Sequence, residues 1–155
     1  MARLFDQHGR SRVVVTTQVP APVEIVYAAL LDPATHARTA SGRERVVSGN
    51  SPLGLGDEVT FEATHFGIRQ RLTARITATD PPHSFEDTQV RGFFRSLVHR
   101  HEFHPEGEGT RMVDVMEFAS PLDELFDRWV LGPYLTRFLV KRGAALALVL
   151  HETAR

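Results

Sequence analysis

The chain has 155 residues, of which 42% are hydrophobic and 24% charged, enough for one domain with a substantial core. A formal net charge of -1 leaves no electrostatic footprint for nucleic acid or an acidic membrane surface. The absence of cysteine removes disulfides, thiolate metal sites and cysteine nucleophiles together.

Residues 1–11 read as a polar leader without the apolar segment of a secretory signal, so the expected location is cytoplasmic. Arg12 to Val19 is β-branched and alternating, which predicts a first strand that Pro20-Ala21-Pro22 stops. Val23, Val26, Tyr27 and Leu30 then follow helical spacing up to Asp32-Pro33, and Ala34 to Ala40 predicts a second short helix closed by Ser41 and Gly42. From Arg43 the period changes to two. Strands are expected over Arg43–Ser48, Glu58–His65, Ile68–Ala78, Ser84–Val90, Phe94–Phe103 and Thr110–Ala119, the last two joined by a hairpin loop at Glu106-Gly107-Glu108-Gly109.

The last third, Leu122 to Glu152, predicts one long helix with a hinge. Leu122, Leu125, Phe126 and Trp129 share a face, and the pattern resumes through Leu135, Phe138, Leu139, Leu146, Val149 and Leu150. Pro133 has no N–H to donate and restricts Gly132, so a kink or two abutting helices is expected there. Ser120 is the expected N-cap, with Pro121 in the first turn. Arg128, Arg137, Lys141 and Arg142 fall off the stripe, as a solvated face requires. The apolar run Gly143 to Leu150 is far short of the ~20 residues that a membrane span needs. A strand, two short helices, consecutive antiparallel strands and one long helix make an α+β layer structure, with one sheet face under the helix.

That order, with three stretches of sequence, resembles the helix-grip fold of the START-like (SRPBCC) superfamily, which includes polyketide cyclase/dehydrase and lipid-transfer proteins. The stretches are Val19-Pro20-Ala21-Pro22 with Val26-Tyr27; Gly92-Phe93-Phe94 with His99-Arg100-His101-Glu102-Phe103; and Gly109-Thr110-Arg111-Met112-Val113-Asp114 running to Phe118 and Pro121. The resemblance covers residues 12–152. It implies a curved antiparallel sheet of about seven strands wrapped around the C-terminal helix, with a cavity for hydrophobic ligands between them. It leaves binding, transfer and catalysis open, because fold alone does not choose among them.

The hairpin from His99 to Asp114 carries the most chemistry. If Phe103 lies opposite Thr110, His101 falls near Met112 and His99 near Asp114. His99, His101 and Asp114 then form a polar island on the concave face, amid Phe and Met. A carboxylate beside an imidazole fixes its tautomer and suits acid–base work; equally, such a pair can orient a ligand or simply satisfy itself inside the sheet. His99 and Asp114 are thus the candidate catalytic pair. Gln70, Asp87 and Gln89 are candidate polar ligand contacts. Tyr27, Phe61, Leu72, Met112, Met116, Phe118, Trp129, Tyr134 and Phe138 are candidate apolar ones. His99 and His101 could supply two metal ligands, but no third is evident, so no metal and no cofactor is expected. Arg69, Arg71 and Arg75 face Glu58 and Glu62 across strands, which favours charge pairing over an anion site. Gly49 to Gly56 lacks the lysine of a phosphate loop, and no nucleophile elbow occurs.

Three functions are compatible with these features: binding of a small hydrophobic molecule (lipid, polyketide or aromatic), a cyclase or dehydratase using the His99–Asp114 pair, or a ligand-free interaction domain working through the surface near Trp129 and Tyr134. The expected assembly is a monomer or homodimer, with no nucleic-acid partner and no integral membrane segment.

Overall fold

The computed structural model describes residues 10–40 and 44–154. Strand β1 (Ser11–Val19) is followed by helices α1 (Val23–Leu30) and α2 (Pro33–Thr39). Six strands come next: β2 (Glu44–Gly49), β3 (Glu58–His65), β4 (Ile68–Asp80), β5 (Ser84–Arg91), β6 (Ser96–Glu106) and β7 (Gly109–Ala119). A short helix α3 (Glu124–Phe126), a π-helical turn (Asp127–Leu131) and the long helix α4 (Gly132–Thr153) complete the chain. This is the expected α+β helix-grip architecture, one antiparallel sheet in the order β1-β7-β6-β5-β4-β3-β2. The leader up to residue 9, the expected close of α2 at Ser41 and Gly42, and Arg43 lie outside the described residues, while Ser11 is already paired in β1.

The alternation in the sequence translates directly into burial. In β7, Thr110, Met112, Asp114, Met116 and Phe118 are all buried and their neighbours are not. Register shifts in β4, between Thr73 and Ala74 and again between Ile76 and Ala78, mark bulges that bend the strand and help curl the sheet. Helix α4 packs against β1, and α2 lies against both α4 and β2. The buried apolar residues form two clusters. One gathers α1, the middle strands and the far end of α4 around Tyr27, Phe85, Phe103 and Leu146. The other gathers β1, β7 and the near end of α4 around Val13, Phe118, Leu135 and Leu139.

Gly143 sits where α4 meets β1. A Cβ there would collide with the Thr17 side chain, so this contact admits only glycine. Glu62 on the outer face of the sheet is ringed by Arg45, Arg69 and Arg71 at 2.8, 3.1 and 2.9 Å, the cross-strand pairing expected for that arginine row.

Two local expectations need correction. The first is the entry to the long helix. Its N-cap is Asp123, which accepts from Phe126 N at 2.8 Å; Ser120 instead accepts from Leu122 N, and its own N–H is held by Asp127 Oδ2 at 3.0 Å. Ahead of Pro133 the chain widens into the π turn, in which Gly132 N bonds the Asp127 carbonyl. One extra residue in a turn rotates the segment before it by about 100° relative to the segment after it. Leu131 therefore turns inward, while Leu122, Leu125 and Trp129 are exposed, Trp129 at 67%. The second correction is the β6–β7 hairpin. Its loop is only Gly107-Glu108, with Gly107 at φ +62°, so Phe103 faces Met112 rather than Thr110. The slip is two residues, so every side chain keeps its face.

Gly143→Ala should cost about 1–3 kcal/mol from overpacking, more than the roughly 1 kcal/mol that alanine gains over glycine in a helix. Urea denaturation would read this, and Thr17→Ala in the same chain should restore the loss; an unchanged midpoint for Gly143→Ala would remove the close contact. Trp129 fluorescence should be quenched by acrylamide as freely as that of an exposed indole, and a protected indole would return Trp129 to the core face.

Candidate functional site

An internal cavity of about 90 Å³ lies between the sheet and α4, in the waist between the two apolar clusters. Leu53, Val59, Ile76, Met112 and Leu146 supply wall from the first cluster and Leu139 from the second. Four charged or titratable side chains on three adjacent strands interrupt this wall: Asp87 of β5, His99 and His101 of β6, and Asp114 of β7.

Strand register brings them together. Asp87 lies opposite His99, and His101 opposite Asp114. The bonds themselves run both straight and diagonally. His99 Nε2 is 3.0 Å from Asp114 Oδ1, a contact that the two-residue slip turns from directly opposite to diagonal. His101 Nε2 reaches Asp87 Oδ2 at 3.1 Å. His101 Nδ1 lies 2.9 Å from Asp114 Oδ1, an ion-pair contact bent away from hydrogen-bond geometry. Phe85 stacks on the His101 ring at 4.3 Å, and the two imidazoles are 3.9 Å apart.

Burial disfavours the His101 cation, but the carboxylates of Asp114 and Asp87 outweigh it and raise its pKa to about 9. Burial likewise opposes ionisation of Asp114, yet His101 and His99 hold its carboxyl well below the usual carboxylate range. At neutral pH this is a buried ion pair with His101 protonated. An imidazolium donates protons, so His101 is set up as a hydrogen-bond donor or acid rather than a base.

Asp87 also supplies the third donor that the sequence did not reveal beside the histidines. One donor atom from each of Asp87, His99 and His101 lies within 4.8 Å of the others. A cation held by these three would require both rings neutral, in competition with the charge that the carboxylates stabilise on His101.

Beyond the cavity a second compartment of about 700 Å³ opens between α2, β3 and α4. Thr39 and Arg142 line both spaces. Arg142, expected on the solvated face of the helix, is instead turned inward, and burial pushes its guanidinium pKa down to about 9. It meets His36 Nε2 and lies 3.7 Å from Glu44 Oε1, while His36 stacks on Phe61 at 4.2 Å and approaches Glu44 at 2.7 Å. Burial raises the Glu44 pKa against the opposing effect of His65, and burial lowers that of His65. His65 Nδ1 is hydrogen-bonded to the Tyr134 hydroxyl.

Of the residues singled out in the sequence, Phe61, Asp87, His99, His101, Met112 and Asp114 line the cavity, and Tyr134 and Phe138 line the outer cleft. The others lie elsewhere. Tyr27 stands edge-on to Phe85 and Phe103 in the first cluster, and Met116 and Phe118 belong to the second. Leu72 packs against both clusters, and Gln70 is paired with Ala63 in the sheet. Gln89 clamps the loop after β5 through both main-chain groups of Phe94, and Trp129 faces solvent. His36, Thr39, Glu44 and Arg142 were missed. For Arg142 the signal was present: it stands three residues after Leu139 and four before Leu146, a charge on the apolar stripe.

A sheet gripping a C-terminal helix over an internal cavity defines the helix-grip class. Residues 10–150 match the family described as polyketide cyclase / dehydrase and lipid transport, and the chain belongs to that family. Solved structures agree in fold. A protein from Thermus thermophilus is 19% identical with a TM-score of 0.75, over 93% of this chain and 99% of that one. Protein Ms6760 from Mycobacterium smegmatis is 21% identical with a TM-score of 0.73, over 92% of each chain. Ginseng major latex-like protein 151 from Panax ginseng is 14% identical with a TM-score of 0.67, over 90% and 97%. Among curated proteins none matches. No helix of the described residues is long and apolar enough to cross a membrane.

Since the folded pKa of His101 lies above its ordinary value of 6.5, protonation of His101 contributes stability that is fully present below about pH 6.5 and lost as pH rises through about 9. Denaturation midpoints should fall across that window, and His101→Asn should flatten the fall; a wild-type profile that stays level there would mean the ring is neutral. Asp114→Ala, which leaves the buried His101 cation with Asp87 alone, should cost about 3–5 kcal/mol.

Proposed function

We propose that this protein binds a small hydrophobic molecule in the cavity between sheet and helix, with a polar group of that molecule on the His99–Asp114–His101–Asp87 chain. One observation carries the reading: an ion-paired polar chain faces a cavity whose remaining wall is mostly aliphatic and aromatic. A pair that only satisfied itself would have no need to border open space. The family description supports the same reading through its lipid-transport members. The inner space is below the roughly 300–1,000 Å³ of ordinary ligand pockets, so the molecule extends past Thr39 and Arg142 into the outer cleft. His99 offers the ligand a hydrogen bond, and Phe61, Met112 and Leu139 offer apolar contact. Met112 adapts to varied shapes through its unbranched chain.

A second reading, a cyclase or dehydratase, is favoured by the same pair, with His99 moving a proton and Asp114 holding its ring. The two readings differ in one variant. Under binding alone, His99→Ala weakens affinity about three- to tenfold, the worth of one hydrogen bond. Under catalysis, it leaves binding nearly intact and abolishes conversion of a polyketide-like substrate.

Native mass spectrometry of gently purified protein, compared with the denatured mass, tests the reading. A small molecule released on denaturation, and retained less by His99→Ala, is the expected result. An unliganded mass, together with no binding of apolar probes in titration, would sink it.

A further inference from the structure

We infer that the outer cleft is an anion site, so that the molecule bound is an amphipathic acid: apolar body inward, carboxylate or phosphate at Arg38, Arg137 and Lys141. This rests on the binding reading above and adds the chemistry of the ligand's outer end.

The inference comes from where the positive charge is left over. On the outer face of the sheet, cations and carboxylates are matched. Glu62 gathers Arg45, Arg69 and Arg71, and Glu58 meets Arg75 at 2.6 Å and Arg91 at 3.8 Å. Arg12, Arg100 and Arg111 likewise have Glu117, Glu102 and Glu106. At the cleft this matching stops. Arg38 on α2 and Arg137 and Lys141 on α4 all line it, and none has a carboxylate partner among the described residues. Arg137 and Lys141 are four apart on one helix, the spacing at which like charges repel. The carboxylate lining the cleft, Glu44, is drawn inward to His36 and Arg142 and leaves the three outer cations uncompensated.

The surroundings fit an amphipathic molecule rather than a free ion. Tyr134 and Phe138 give the cleft an aromatic side, and Thr39 and Arg142 line both the cleft and the apolar cavity. A ligand spanning both compartments would place its anion among the three cations, its body between Phe61 and Leu139, and a hydroxyl or carbonyl near His99.

Isothermal titration with octanoate, octyl phosphate, 1-octanol and inorganic phosphate tests this. Octanoate or octyl phosphate should bind about tenfold more tightly than 1-octanol at low salt, and the advantage should shrink as salt rises. The combined variant Arg38→Gln, Arg137→Gln, Lys141→Gln should lose that advantage while its affinity for 1-octanol stays the same. Arg69→Gln, which removes a charge from the far face, should keep it. Which of the two acids binds better identifies the head group. Equal affinity for the alcohol and the acids, or an advantage that survives the triple variant, would overturn the inference while leaving the cavity reading intact. Inorganic phosphate binding as tightly as octyl phosphate would overturn the amphipathic part. Failure of all three alkyl probes would remove the cavity reading and the inference with it.

Discussion

How near a helix can come to a sheet depends on what stands between them, and at Gly143 nothing does. The absent side chain lets α4 settle against Thr17 of β1, which fixes one side of the helix closely against the sheet. On the other side the sheet bends at the β4 bulges, and the cavity is the space between the middle strands and the helix. It lies in the waist between the two apolar clusters, so the core that stabilises the fold also bounds the site.

A cavity lined wholly by aliphatic groups would need no further support, but the sheet side of this one carries two carboxylates and two imidazoles. Such groups persist out of water only when each finds its counterpart. Asp114 does so by taking both His99 and His101, and His101 by adding Asp87. The strands hold this arrangement, since all four residues sit on adjacent members of one ladder. The polar end of the site is therefore rigid. The mouth is built differently, from long side chains on two helices, Arg38 on α2 and Arg137 and Lys141 on α4, and can adapt to what enters.

The elements of this fold were legible in the sequence because period and turn chemistry are local properties. Strand β3 begins at Glu58 and ends at His65 as its alternation indicates, and α1 spans Val23–Leu30 as its spacing indicates. The polar island was legible for the same reason, since parity alone puts His99, His101 and Asp114 on one face. Three things were not. Hairpin register depended on whether the loop held two residues or more, a choice that Glu106-Gly107-Glu108-Gly109 leaves open. The π turn before Pro133 has no compositional signature, and it sent Trp129 outward against its periodic position. Arg142 meets His36 across 106 positions, and although its place on the apolar stripe marks it as inward, no local pattern encodes its partners.

The sheet order has a consequence for how the chain is made. β1 is an edge strand whose one ladder partner among the described residues is β7, pairing Ser11 with Phe118 and Val19 with Thr110. During synthesis the first strand to leave the ribosome must therefore wait, unpaired, until nearly the whole sheet has emerged behind it. Its Val13-Val14-Val15 run is apolar and β-branched, the kind of segment that joins other exposed strands when left waiting. Closing such a distant pair also slows folding. The nascent chain is most vulnerable in this interval, before the last strand arrives to cover the first.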